Sequence, residues 1–351
     1  MGRSGEMTDR IDRQTALELY HECGLLELGE RAHALRLELH PEPEVTFAID
    51  RNINYTNICR CRCRFCAYYR NPGDDDAFVI APETLRQKIR ETLDLGGTQI
   101  LLQGGLNPDL KIDYYIALLE NIRAEFPAIH VHGFSPPEIC HIAEISGLET
   151  GEVLSRLKSA GLGSMPGGGA EILDDRVRSR ISPEKIGWRK WLGVMEEAHS
   201  LGLRTTATMM FGSLETPEEL IEHLFRVREV QDRTGGFTAF IPWSFQPANT
   251  DLAREVENPA TGIDYLRVLA LSRLVLDNID NLQASWVTQG TKLAQVALCF
   301  GANDFGSTMI EENVVAAAGV HFSISLEELV DTIREAGFKP VQRDTLYRRI
   351  R

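Results

Sequence analysis

Four cysteines fall within eight residues of this chain: Cys59, Cys61, Cys63 and Cys66. Three of them are spaced Cys59-x3-Cys63-x2-Cys66, with aromatic Phe65 just before the last. Thiolates this close on a short loop can each take one iron of a cubane cluster, leaving a fourth iron open to a small ligand. Ordinary electron-transfer clusters spend four cysteines instead. Cys61 lies between two of the proposed ligands, and so tight a loop does not aim all four sulfurs at one cubane. The alternatives are a structural zinc site, an ordinary four-cysteine cluster, or a chance grouping of buried thiols. Zinc usually draws cysteine pairs from separate segments. Cys23, Cys140 and Cys299 are scattered, and an odd total of seven argues against a disulfide framework. Arg60, Arg62, Arg64 and Arg70 surround the loop. They either offset an anionic cluster and raise its potential or form a solvated basic surface.

Further segments carry groups suited to holding a ligand. Gln103-Gly104-Gly105-Leu106-Asn107 offers backbone with no Cβ in the way; a plain turn is the alternative. His132-Gly133-Phe134-Ser135-Pro136-Pro137 places a serine able to bind ribose or carboxylate groups on a loop stiffened by two prolines; His132 reads equally as a satisfied core histidine. In Gly167-Gly168-Gly169-Ala170-Glu171 the glycines permit close approach, and a fixed carboxylate suits two ribose hydroxyls. The segments around Trp243, Trp286 and Phe305 offer aromatic walls, amides and hydroxyls, as an enclosed organic substrate needs.

The elements that must position these groups alternate between strand and helix. Residues 9–40 predict one or two lead-in helices. Eight strands are expected at 45–54, 99–103, 129–134, 163–165, 204–210, 237–242, 282–287 and 302–306. Helices intervene, including one opened at Pro183 and one opened by a Thr216/Glu219 capping box with Pro217 at its first position. Ser325 and Glu328 box a further helix. Eight such units favour a closed parallel (β/α)8 barrel of TIM type over an open sheet. The expected divisions are a helical lead-in at 1–44, the barrel at 45–310 and a C-terminal extension at 311–351. Every ligand-binding segment then sits at the C-terminal mouth, where barrel active sites are built.

Composition sets the outer bounds. With 37 Lys plus Arg against 51 Asp plus Glu, a net charge of −14 argues against a broad nucleic-acid surface. No run approaches the roughly 18 apolar residues of a membrane span, and the N-terminus lacks the apolar stretch of a secretory signal, so a cytoplasmic enzyme is expected. Met7 is a possible alternative start. The length suffices to bury roughly 75% of the unfolded surface without disulfide or metal support.

The cysteine spacing, Phe65 and the surrounding barrel pattern resemble the radical S-adenosylmethionine (SAM) enzymes. Over residues 40–335 the strings RNINYTNIC, HGFSPPEI, PGGGAEIL, TTATMMFG, FIPWSFQP, ASWVTQG and GANDFGSTMIEENV are similar, in order, to the cyclic dehypoxanthinyl futalosine synthase family of the futalosine menaquinone route. Near relatives are the aminofutalosine synthases and the deazaflavin-forming FO synthase subunits. The resemblance implies a 4Fe–4S cluster on Cys59, Cys63 and Cys66, and SAM among Tyr68, Gly104, Gly105, Ser135 and Glu171. It implies hydrogen removal from the substrate ribose at C4′, ring closure onto a benzoate, and loss of one electron and one proton. A small futalosine-derived substrate and a reducing partner such as flavodoxin or ferredoxin are implied as well. Two departures stand out. Relatives commonly carry Gly-His-x-Glu-Thr where this chain has Gly212-Ser213-Leu214-Glu215-Thr216, and Cys61 is inserted in the cluster loop.

Overall fold

The computed structural model describes residues 10–350; Met7 and the start of the 1–44 lead-in lie outside the described residues. Two helices, Arg13–Glu22 and Leu25–Leu39, open the chain. Asp12 caps the first by accepting the Thr15 N–H at 2.7 Å. The second packs on the helix Gly262–Val275.

The strands follow as β1 (Glu44–Ala48), β2 (Asp50–Asn54), β3 (Gln99–Gln103), β4 (His130–Gly133), β5 (Ser164–Met165), β6 (Arg204–Phe211), β7 (Phe237–Ser244), β8 (Asn281–Leu282), β9 (Asp304–Ser307) and β10 (Lys339–Gln342). Strands β2 to β8 form one seven-stranded sheet in chain order, parallel throughout. It curls until β8 meets β9 through a Gln283–Asp304 bridge, and β9 pairs with β1. Past β9 the ladder continues from the end of β1 into β2: the Thr308 N–H donates to the Ala48 carbonyl at 3.0 Å and the Ile310 N–H to the Asp50 carbonyl at 3.0 Å. The result is a TIM-type (β/α)8 architecture.

The expected single strand at 45–54 is broken at Ile49, because its two halves serve different neighbours. β1 pairs with β10 from the C-terminal end, whereas β2 pairs with β3. The expected strand at 282–287 shrinks to two residues: the Ser285 N–H donates to the Tyr265 hydroxyl at 2.7 Å, and the chain turns into the helix Trp286–Gln289. The helix expected from Pro183 starts only at Trp188, after Gly187. Helices Pro136–Ser146 and Asp175–Ile181 were not foreseen. Both capping boxes form: the Thr216 N–H donates to Glu219 Oε2 at 2.8 Å, and the Ser325 N–H to Glu328 Oε2 at 2.8 Å.

The strands are apolar outward and polar inward. Ile53, Ile100, Leu102 and Val131 are buried with the apolar faces of the surrounding helices, while Asp50, Gln99, His132, Thr206 and Thr208 line the barrel interior. The C-terminal segment seals the floor. Arg343 meets Asp304 through two bonds, Nε to Oδ2 at 2.5 Å and a terminal nitrogen to Oδ1 at 2.9 Å. Its guanidinium lies 3.9 Å from the centre of the Tyr347 ring, and the Thr345 hydroxyl donates to Gln99 Oε1 at 2.5 Å. Among the described residues no helix is long and apolar enough to cross a membrane.

Candidate active site

β2 ends at Asn54 and hands the chain to the cysteine loop at the C-terminal mouth. The loop is stitched to the end of β3 by two backbone bonds, Gly105 N–H to the Thr56 carbonyl at 2.9 Å and Arg60 N–H to the Leu106 carbonyl at 2.9 Å, and closed on itself by a third, Cys59 N–H to the Arg70 carbonyl at 3.0 Å. This explains the two glycines more fully than ligand access does. A Cβ on Gly105 would run into the Ile58 carbonyl, and one on Gly104 would lie 2.6 Å from the Tyr55 ring.

Cys59, Cys63, Cys66, Tyr68, Gly104, Gly105, Ser135 and Glu171 all line one cavity of about 250 Å³. No disulfide engages any of the cysteines. Burial pushes the Cys63 thiol up to about 12 and raises that of Cys66. A hydrogen bond from Cys61 lowers Cys59 to about 6, and the same pairing, with burial, raises Cys61. The Cys61 sulfur lies 3.3 Å from the Glu184 carbonyl oxygen. Cys61→Ala is expected to leave iron and sulfide per chain unchanged and to retain SAM cleavage. Loss of the brown colour in that variant would make Cys61 a ligand.

Ser135, expected on a proline-stiffened loop, instead caps the helix Pro136–Ser146, whose first turn accommodates both prolines. Its hydroxyl and N–H both donate to Glu138 Oε2, at 2.5 and 2.7 Å. The other carboxylate oxygen of Glu138 accepts from the Tyr55 hydroxyl at 2.7 Å and the Gly104 N–H at 3.0 Å. Glu138 is therefore the buried tie between the glycine-rich end of β3 and the Ser135 helix, a role that its sequence string does not advertise.

Glu171 sits at φ +43°, a left-handed conformation rare for a non-glycine residue. Lys185 Nζ donates to its Oε1 at 2.7 Å, and Arg178 lies 3.6 Å from Oε2. That Oε2 is buried without a hydrogen-bond partner. Lys185, which nothing in Ser182-Pro183-Glu184-Lys185 marks out, also lies 5.0 Å from the centre of the Phe65 ring. Burial works against its charge, but Cys63 and Glu171 outweigh burial and raise its pKa.

The arginine field is corrected by its partners. Arg60 pairs with Glu144 at 3.0 Å, Arg64 with Glu255, and Arg70 with Asp76 at 2.7 Å, while Arg62 donates to the Asn71 side chain at 3.1 Å. Each is engaged by a partner, Arg70 also donating to the Ala67, Tyr68 and Tyr69 carbonyls of the loop, and among the described residues Lys185 is the cation on the cavity wall.

Gln103, Gly168, Gly169, Glu171 and Trp243 border both this cavity and a second, of about 280 Å³, that fills the barrel lumen below it. Of the expected aromatic wall only Trp243 lines these spaces; Phe245, Trp286 and Phe305 pack in the core. Ser213 lines neither cavity and donates to Glu215 Oε2 at 2.8 Å.

Of the four unpaired thiols that line the mouth cavity, Cys59, Cys63 and Cys66 match the donor chemistry of an iron–sulfur cubane, one thiolate per iron, while the Cys61 sulfur is directed to the Glu184 carbonyl. Among the described residues, no three His, Cys, Asp or Glu side chains converge tightly enough for a single metal ion. The orphaned Oε2 of Glu171, on the same wall, fits a hydroxyl-bearing ligand such as the SAM ribose.

Comparison with known proteins agrees. Residues 53–227 match the radical SAM superfamily model and residues 234–351 the CofH/MqnC C-terminal region. The chain is 50% identical to the cyclic dehypoxanthine futalosine synthase of Halalkalibacterium halodurans, covering 98% of this chain and 92% of that one. It is 44% identical to the 5-amino-6-(D-ribitylamino)uracil–L-tyrosine 4-hydroxyphenyl transferase of Methanopyrus kandleri, covering 96% and 93%. In fold it resembles the FeFe-hydrogenase maturase HydG from Carboxydothermus hydrogenoformans, with a TM-score of 0.74 at 17% identity over 97% of this chain and 78% of that one. The chain belongs to the radical SAM superfamily, in the branch that carries a CofH/MqnC C-terminal region.

Proposed function

We propose that this radical SAM enzyme converts dehypoxanthine futalosine to cyclic dehypoxanthinyl futalosine, with its cluster on Cys59, Cys63 and Cys66. The observation that carries this reading is the 50% identity to a cyclic dehypoxanthine futalosine synthase across 98% of the chain. It agrees with the seven sequence strings, which run through both halves of the barrel.

When bound, the cluster and SAM supply a 5′-deoxyadenosyl radical on one-electron reduction. The protein supplies position. Gly104 and Gly105 clamp the cysteine loop against β3, Glu138 ties that edge to the Ser135 helix, and Glu171 offers its free oxygen to the SAM ribose. Lys185, already held by Glu171, adds a cation beside Cys63. Trp243, at the junction of the two cavities, walls the passage between SAM and the lumen. The lumen is closed beneath by Arg343, Thr345 and Tyr347, so a substrate held there is shielded from water. Ser213 lies outside both cavities, so the substitution at that position does not remove a lumen base.

The 44% identity to a tyrosine 4-hydroxyphenyl transferase supports a second reading, arylation of a ribitylaminouracil by tyrosine. One anaerobic assay separates the two. Reconstituted protein with dithionite and SAM is offered each substrate set in turn, and products are read by mass spectrometry. A dehypoxanthine futalosine product lighter by a pair of hydrogens, formed with 5′-deoxyadenosine, is the expected result. Turnover only with the uracil and tyrosine would overturn the cyclase reading in favour of the transferase.

A further inference from the structure

Three carboxylates face the two connected cavities among the described residues: Glu138, Glu171 and Asp50. Their partners set them apart. Glu138 receives donors at both oxygens, and Glu171 is ion-paired with Lys185. Asp50 has no cation of its own. Its Oδ2 accepts from the Gln99 amide at 2.8 Å, while Oδ1 is buried without a hydrogen-bond partner. The residue is 5% exposed, so bulk water does not satisfy that oxygen.

An unpaired buried carboxylate oxygen is costly; the Ser307 hydroxyl is the neighbouring donor that pulls on this carboxyl, yet it makes no hydrogen bond to Oδ1. Asp50 sits inward on β2, one strand from Gln99, at the lower end of the polar series Asp50, Asn52 and Asn54. The cation nearest in kind, Arg343, is spent on Asp304. Burial pushes the Asp50 carboxyl upward against the pull of Ser307, Gln99 and Arg343. A donor arriving at Oδ1 would work the same way as those three, by stabilising the anion.

We infer that Asp50 is a substrate-binding residue at the lumen floor, where its Oδ1 accepts a hydrogen bond from a ribosyl hydroxyl of the substrate. This rests on the cyclase reading and deepens it. A second carboxylate would be repelled here, so the benzoate end of the substrate is turned away from Asp50 and a sugar hydroxyl toward it. The polar side chains of Gln283, Thr206 and Thr208 on the same wall suit that assignment. Through this bond the floor sets how the ribose is presented to the cavity that holds the cysteines.

The test uses the cluster-loaded protein and its Asp50→Asn variant, which keeps shape and removes the charge. Iron content and SAM affinity verify that the variant is folded and loaded. Calorimetry gives the substrate Kd, and turnover gives KM and kcat, with the parent substrate and with analogues lacking one ribose hydroxyl at a time. Loss of a hydrogen bond to a charged group predicts Kd and KM raised by roughly 10- to 100-fold, with kcat changed by only a few-fold. One deoxy analogue should weaken binding to the parent protein by a similar factor and to Asp50→Asn by little more. Kd and KM within threefold of the parent's, or the same penalty for every analogue in both proteins, would overturn the role of Asp50 while leaving the cyclase intact. A fall in kcat at unchanged KM would overturn it too. A parent protein that neither binds nor converts dehypoxanthine futalosine would overturn the cyclase reading and the ribosyl assignment with it.

Discussion

Cys63→Ala is expected to yield a colourless protein, with iron and sulfide each lowered well below four per chain and 5′-deoxyadenosine formation abolished. The reason is the donor set. Cys59, Cys63 and Cys66 share one cavity with Cys61, and a cubane bound by three thiolates loses one iron's protein ligand when any of the three is removed. Cys61 does not replace the lost ligand, because its sulfur is directed to the Glu184 carbonyl. The cysteine loop itself remains anchored in the variant, since its backbone bonds with Gly105 and Leu106 and its internal bond to Arg70 do not use the Cys63 side chain. Retention of the cluster absorbance and of SAM cleavage after this substitution would reverse the ligand assignment.

Arg343→Met is expected to cost about 3–5 kcal/mol of stability, the usual result of leaving one member of a buried ion pair unpaired. Asp304 is fully buried and Arg343 nearly so. The methionine fills much of the arginine's volume but leaves both Asp304 oxygens without the guanidinium. It also removes the cation from over the Tyr347 ring. Thermal unfolding of the anaerobic protein should show a midpoint lowered by roughly 4–7 °C. Replacing both members of the pair with apolar residues should recover part of that loss, because the uncompensated charge then disappears with its partner. An unchanged midpoint for Arg343→Met would mean that the floor draws its stability from the β10–β1 pairing alone.

These two residues mark opposite ends of the barrel and opposite degrees of legibility. The cysteine loop could be read directly: spacing within one short segment is a local property, and thiolate chemistry at that spacing has few uses. Barrel architecture was equally legible, because strand–helix alternation and the capping boxes at Thr216 and Ser325 are written in consecutive residues. Tyr68, Gly104, Gly105, Ser135 and Glu171 were named from strand-end position and from resemblance, and the fold brings them to one wall.

What the linear chain did not disclose is pairing across distance. Glu171 reads as an available carboxylate, yet its state depends on Lys185 and Arg178, which reach it from outside its own segment. The arginines around the cysteines read as a field aimed at the cluster, but partners such as Glu144 and Glu255 draw them outward. Asp50 carried a signal that is clear only in hindsight: polar residues at alternate positions of a strand that proves buried throughout, which means a polar lumen face.

The sequence by itself determined the chemistry available at the mouth, the order of the elements and the superfamily, because these follow from residue type and short-range spacing. The tertiary structure alone decided which charges are spent and which remain free. Arg343 closes the floor only because β10 returns beside β1 nearly three hundred residues after it, and Asp50 keeps one oxygen unpaired while that arginine is spent on Asp304. Hydrogen bonds and ion pairs are settled by distances of a few ångströms in space, and those distances do not exist until the barrel has closed.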